Sequence, residues 1–419
     1  MPTLTLTLGV LNKAPSSSTW QMNGFVFLKV TENGVSMAWC KRERGPGQQL
    51  GPVGVVVGGA VTFATLVMAS PAIAEAATAV AYPAAAAATR YSGPAFDTCT
   101  APSLAAIAAW GRSPYRAIGV YIGGVNRACS QPQLTARWVT EVSQRSWRLL
   151  PLYVGLQPPC VVNGRRRPAR TGAVKSALQK IVPSEAASQG RAAADDAAAK
   201  AGALGMVYGS ALYDDIENYA TTDTACRAAV LRFVSGWTKE LHRLGYLAGV
   251  YANLSSGAPD LSSVYTSRSY ARPDALWIAR WDRNASLARW AGIPGSRWAV
   301  HQRASQYRGG HNETYGGVTI KIDSDNVDAP VATVAHGYTV TSASPLNART
   351  GPSASHPIVR TYAFGSTVQA VCQAPGSTVA STRVWDKLAD GTYVTDYYLS
   401  TPSNTGYSAP LARCDTPTR

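Results

Sequence analysis

The sequence predicts an α/β chain: a (β/α)8 barrel of TIM type followed by a small all-β barrel. Three observations predict it. Eight short apolar runs between residues 94 and 324 alternate with amphipathic stretches, the pattern of a parallel sheet covered by helices. Eight strands in about 235 residues suit a closed barrel better than an open sheet; the doubly wound alternative has no Gly-rich phosphate loop to support it. Past Asp328 the chain is rich in Thr, Ser, Val and Tyr, with turn pairs Gly351-Pro352 and Asp390-Gly391, which suits short alternating strands.

Of the 419 residues, 1–74 read as a leader. Lys41, Arg42 and Arg44 form a basic cluster, an uncharged apolar run follows over 51–69, and Ala72-Ile73-Ala74 fits a small-x-small cleavage site. This is the layout of a secretory signal peptide. Met37 lies just ahead of the basic cluster, so the true start is expected near it. The run is short for a membrane span and carries glycines; the alternative is an uncleaved anchor. Residues 75–91 are an Ala-rich linker. The barrel is expected over 92–332 and the all-β domain over 338–419.

The expected barrel strands are 94–99, 116–122, 148–154, 210–217, 246–252, 275–281, 298–302 and 318–324. Residues 222–244 place Ala225, Ala229, Val230, Phe233, Trp237, Leu241 and Leu244 on one stripe at spacings of three and four, and Gly245 stops the helix. Residues 131–144 and 186–204 also read as helices. Residues 309–317 join the last two strands as a polar loop.

The formal charge is +15. Five Lys/Arg and two acids precede residue 75, leaving +12 after it. Such a charge favours an anionic partner: nucleic acid, membrane and acidic cell wall all qualify. Of the seven cysteines, Cys40 sits in the leader. The even set Cys99, Cys129, Cys160, Cys226, Cys372 and Cys414 suggests disulfides in an exported chain. Six cysteines allow 15 pairings. If the domains fold separately, Cys372 pairs with Cys414 and the other four pair among themselves. No CxxC or histidine spacing marks a metal site, and no cofactor is expected.

In a parallel barrel, function gathers at the C-terminal strand ends. There the sequence carries Asp97, then Asp214-Asp215-Ile216-Glu217, then Asp282, then Asp323 and Asp325. Asp215 and Glu217 are two apart on a strand, so they share a face with alpha carbons about 6.6 Å apart. Clustered carboxylates repel, and one should hold its proton at neutral pH. A protonated acid beside an ionised partner is what glycosidic cleavage needs. The plainer reading is that such acids cap helices or pair with Arg280.

The loop 309–317 offers polar groups and Tyr315 to a sugar, or is simply a flexible surface loop. Arg165-Arg166-Arg167 and Arg170 face an anionic polymer or solvent alone. Trp277 and Trp281 stack on sugar or pack, with packing favoured for Trp277.

Several motifs run in order along the chain. They are Phe96-Asp97-Thr98-Cys99, residues 119–124 with Asn126-Arg127-Ala128-Cys129, residues 150–157, the Asp-x-Glu strand, residues 277–281, Gln306-Tyr307-Arg308-Gly309-Gly310-His311 and Ile322-Asp323-Ser324. Over about 92–330 this set resembles the glycoside-hydrolase-like domain of secreted Gram-positive bacterial proteins, which is similar to the family 25 (Chalaropsis-type) lysozymes. The resemblance implies Glu217 as general acid, Asp215 orienting the substrate acetamido group or stabilising charge, and Asp97 and Asp323 shaping the pocket. Tyr219, Trp281, Asp282, Gln306, Tyr307, His311 and Tyr315 are expected among the substrate contacts. Asp214 departs from the apolar or aromatic residue usual there and should point away from the pocket. Asn347-Ala348-Arg349-Thr350-Gly351-Pro352-Ser353 and Val384-Trp385-Asp386-Lys387 resemble a bacterial SH3-like domain, which implies wall-peptide binding or a stabilising accessory role.

The leading expectation is a secreted, wall-associated, N-acetylmuramidase-like glycosidase acting on peptidoglycan. The alternatives are a non-catalytic wall-glycan binder on the same fold and a structural wall protein. A nucleic-acid partner is not expected, since export and disulfides argue against it. Nor is stable membrane insertion after leader cleavage. A monomer is expected.

Overall fold

In the computed structural model the apolar runs close into an eight-stranded barrel. The structure describes residues 6–13, 20–31, 34–41, 89–162 and 178–414. The first three stretches are strands β1 (Leu6–Lys13), β2 (Trp20–Thr31) and β3 (Gly34–Lys41), paired antiparallel in sequence order. They belong to a unit spanning Met1–Ala74; the second unit spans Glu75–Arg419. The apolar run 51–69, the cleavage pattern at 72–74 and the basic stretch 165–170 lie outside the described residues.

The barrel strands are β4 (Arg90–Asp97), β5 (Ala117–Gly123), β6 (Arg148–Tyr153), β7 (Ala211–Ile216), β8 (Leu247–Asn253), β9 (Ala275–Ala279), β10 (Arg303–Tyr315) and β11 (Val318–Pro330). Each is parallel to the next from β4 to β10. β11 closes the ring antiparallel to both β10 and β4. Helices α1 (Leu104–Trp110), α2 (Ala136–Gln144), α3 (Ala186–Ala203), α4 (Thr224–Arg243) and α5 (Gly257–Ser263) follow β4 to β8 in turn. A fully parallel (β/α)8 arrangement is therefore not what forms: among the described residues five helices serve the barrel, and the last strand runs backwards.

Two local departures explain this. The expected strand 298–302 is a turn, with Trp298 at φ 48° and His301 at φ 52°. Trp298 is apolar because it is buried, packed on the Tyr265 ring at 4.7 Å with its indole N–H donated to the Pro273 carbonyl. The strand starts at Arg303. That buried guanidinium donates to the carbonyls of Leu287, Pro294 and Arg297 and lies over the Trp290 ring at 4.6 Å. One side chain thus ties down the irregular segment between β9 and β10, where a regular (β/α)8 barrel would carry a helix. The expected loop 309–317 is mostly strand: β10 and β11 are joined by Gly316-Gly317 alone, at φ 59° and 79°. A two-residue turn with both φ positive is the tight hairpin connection that glycine permits without strain.

Inside the barrel, alternate residues pack in a tapered core: Ala95, Ala117, Leu152, Tyr213, Leu247, Trp277, Ala304 and Val327. Tyr213 and Trp277 meet edge-on at 5.8 Å, and small partners make room for them. A Cβ on Gly249 would come 2.3 Å from the Tyr213 ring. Outside, Trp110, Trp138, Trp147 and Trp237 are buried between helices and strands.

After the barrel come β12 (His336–Thr339), β13 (Leu346–Arg349), β14 (Ile358–Tyr362), β15 (Thr367–Val379), β16 (Thr382–Leu388), β17 (Tyr393–Thr395) and β18 (Ala412–Arg413). They form one curled sheet in the order β12-β15-β16-β17-β13-β14, with β18 beside β15. Its own small core holds Val340, Leu346, Val368, Leu388 and Val394. The sheet abuts the barrel: the Tyr208 hydroxyl donates to the Leu388 carbonyl at 2.9 Å, and Met206 bridges to Val334 in the segment leading into β12.

Three disulfides form, Cys99–Cys129, Cys160–Cys226 and Cys372–Cys414. The first ties the loops after β4 and β5, and the second ties the loop after β6 to the first turn of α4. No helix among the described residues is long and apolar enough to cross a membrane.

Candidate active site

Strand alternation decides which side chains enter the barrel mouth. Stepping by twos from the buried interior towards the C-terminal strand ends, the inward positions become Asp97 on β4, Tyr121 on β5, Asp215 on β7, Tyr251 on β8 and Gln306 on β10. On the antiparallel β11 the same step runs backwards from Val327 through Asp325 to Asp323. Asp323 and Asp97 are direct cross-strand partners, and Asp325 is opposite Gln306. The mouth is therefore ringed by acids from three strands, with Glu217 one step beyond Asp215.

Asp97 is 1% exposed and fully bonded. The Tyr121 hydroxyl donates to its Oδ1 at 2.9 Å and Gln306 Nε2 donates to its Oδ2 at 2.6 Å. Gln306 Oε1 in turn accepts from the Tyr251 hydroxyl and the Trp281 indole, both at 2.8 Å. Asp325 accepts the Trp277 indole N–H at 2.9 Å. The Gly310 backbone N–H donates to Asp323. Gln157, buried after β6, clamps the Asp-x-Glu backbone: its Nε2 donates to the Asp215 carbonyl at 2.8 Å and its Oε1 accepts the Glu217 N–H at 2.9 Å.

The electrostatics follow from burial and crowding. Burial and the Asp323 charge push Asp97 up to about 7, against the pull of its Gln306 and Tyr121 hydrogen bonds. Burial, then the charges of Glu217, Asp214 and Asp97, hold Asp215 well above the usual carboxylate range. Asp325 is raised likewise by burial and by Asp97. Glu217 is also raised by the surrounding protein, with the Asn218 backbone N–H opposing. It is exposed at the rim, and water contact keeps its rise smaller than that of Asp215. The arrangement crowds together carboxyls whose protonated forms burial favours, with the most accessible one, Glu217, at the edge.

A family model described as Rv2525c-like, glycoside hydrolase-like domain matches residues 108–327. The chain belongs to this family. No curated protein sequence matches the chain. Among solved structures, an uncharacterized B. stearothermophilus protein is 16% identical, covering 56% of this chain and 95% of that one at a TM-score of 0.38. A muramidase from Acremonium alcalophilum is 15% identical, with coverages of 56% and 92% and a TM-score of 0.32. The modular Cpl-1 endolysin, solved with a peptidoglycan analogue, is 13% identical, with coverages of 73% and 77% and a TM-score of 0.30.

Within this glycoside hydrolase-like domain the expected site residues separate into two groups. Asp97, Asp215, Glu217, Asp323, Gln306 and Trp281 gather at the mouth. Trp281 is 64% exposed there. Asp282 sits on the rim, where its Oδ1 accepts the Asn284 N–H and its other oxygen lies 3.5 Å from Arg280. The remaining four go elsewhere. Tyr219 is buried beneath the rim, donating to Asp260 at 2.7 Å. Tyr307, His311 and Tyr315 lie on the outer side of the β10–β11 hairpin. His311 bonds Glu313 at 2.9 Å and Ser324 at 3.2 Å, and Tyr315 packs on Trp110 at 5.1 Å. The cause is the hairpin itself. Read as a loop, these residues were free to reach the mouth; paired as strands with register shifts between Gln306 and His311, they turn to the outer side, where Tyr315 meets α1.

Sequence reasoning missed Tyr121, Tyr251, Gln157 and Asp325 as part of the site. The inward parity of Tyr121 and Tyr251 was a readable signal; the Gln157 clamp had none. Asp214 points away from the mouth into the wall, as expected. Both its oxygens are buried without hydrogen bonds, and burial holds its pKa well above the ordinary range. Cys160, Asp223 and Cys226 lie close enough for a metal, but the two sulfurs are a disulfide and Asp223 caps α4 through the Cys226 N–H, so this cluster has no free thiolate to offer one.

Proposed function

We propose that the barrel mouth hydrolyses a glycosidic bond in a cell-wall glycan, peptidoglycan first, in the manner of an N-acetylmuramidase. The observation that carries this reading is the contrast between Glu217, accessible at the rim, and Asp97 and Asp215, buried behind it. Glu217 holds a proton long enough to give it to the leaving oxygen. Asp215 stabilises the positive charge that develops on the sugar or orients its acetamido group. Asp97 and Asp323 shape the pocket, Gln306 aligns Asp97, and exposed Trp281 stacks on a sugar face.

The chain is read as secreted and monomeric. Its disulfides suit an oxidising compartment, and its positive charge after the leader suits an acidic wall. The C-terminal sheet is read as an SH3-like wall-binding domain. Release of new reducing ends from purified peptidoglycan tests the proposal. The parent should release them and Glu217→Gln should not.

A second reading, a wall-glycan binder without turnover, has one observation in its favour: Asp215, the carboxylate that would work with Glu217, is buried, so Glu217 lacks an equally accessible partner. Wall binding by the parent with no reducing-end release would establish that reading instead.

A further inference from the structure

A small cavity lies where the closed end of the barrel meets the C-terminal sheet, far from the strand ends that form the mouth. Its lining includes Thr89, Ser143, Arg148, Val334, His336 and Ala412 and contains no acid. Arg148, at the start of β6, makes no side-chain hydrogen bond or ion pair among the described residues, and burial lowers its pKa. A half-buried guanidinium without a counter-charge is costly.

His336 adds a second unmatched donor. It is 4% exposed. Its Nε2 lies 3.2 Å from the Ser143 hydroxyl, while its Nδ1 is buried with no partner. With Ser143 donating to Nε2, the ring proton sits on Nδ1 and has nothing to bond. Burial and then the Arg148 charge depress the imidazole to about 4. Arg148 is the charged group facing His336 from the barrel; the sheet residues that line the cavity, Val371, Pro410 and Ala412, carry no charge.

We infer that this junction binds one monatomic anion of the chloride class between Arg148 and His336. Size points to the class: the cavity has room for about one water-sized particle, which a halide matches more closely than phosphate or sulfate. The anion satisfies both donors and couples the barrel to the sheet. Because a protonated His336 binds it more tightly, chloride affinity rises as pH falls.

The test compares thermal midpoints of the full chain in sodium chloride and in sodium gluconate at equal ionic strength; gluconate is too large to enter. The midpoint should be about 2 °C higher in 150 mM chloride, with a wider gap at pH 5 than at pH 7 and none in Arg148→Met. Equal midpoints in the two salts, or a gap that survives in Arg148→Met, would overturn the inference. Should that variant fail to fold, bromide-soaked crystals of the parent decide: anomalous density between Arg148 and His336 supports the anion, and its absence overturns the inference.

Discussion

Gln306 on β10 and Asp97 on β4 meet across the intervening strand β11, with the amide N–H of one 2.6 Å from the carboxyl oxygen of the other. The bond favours the ionised carboxylate and opposes the rise caused by burial. Gln306→Leu removes it. The Asp97 pKa should then climb further above about 7, read by carbon-13 carboxyl NMR, and stability should fall by about 1–3 kcal/mol because a buried acceptor loses its donor. An unchanged titration would mean that Tyr121 alone sets the charge of Asp97.

The same burial links stability to pH. Asp97 titrates near 7 in the fold and near 4 when unfolded, so between those values the folded state binds the extra proton. Its contribution is present below about pH 4 and is lost as pH rises towards 7, at up to about 1.4 kcal/mol per pH unit. His336 acts in the opposite sense over about pH 4 to 6.5, since its folded pKa is the lower one. Asp97→Asn cannot ionise. Its urea midpoint relative to wild type should improve steadily from pH 4 to 7 and then level off.

Gly119 on β5 is held small by what faces it. A Cβ there would come 2.6 Å from the Asp97 Cβ and 2.8 Å from the Trp277 ring. Gly119→Ala should cost about 1–3 kcal/mol and shift Asp97 against Gln306. Gly295→Ala, with nothing within 4 Å of the new carbon, should leave the chemical-denaturation midpoint within about 0.5 kcal/mol of wild type.

The disulfide Cys160–Cys226 ties the loop after β6 to the N-terminus of α4, across a sequence separation of 66. Replacing both cysteines by alanine should cost about 4 kcal/mol through the unfolded chain. Calorimetry under oxidising conditions would show it, and treatment with a reductant should bring the wild type down towards the variant.

The sequence by itself determined seven of the eight strand positions, the closed barrel of eight, helices α2, α3 and α4, and the placing of Asp97, Asp215 and Glu217 at strand ends. All of these follow from local periodicity: two along a strand, 3.6 along a helix. What only the tertiary structure decided lies in pairing. Residues 309–317, polar and glycine-rich, form strands because β11 is there to bond them, and that pairing carries His311 and Tyr315 to the outside of the barrel. Arg303 replaces a helix by bonding carbonyls 6 to 16 residues away, which no local pattern encodes. Gln157 reaches the Asp-x-Glu strand across about 60 residues of sequence. A side-chain hydrogen bond of that span depends on where two loops meet, and that is fixed by closure of the barrel rather than by either segment.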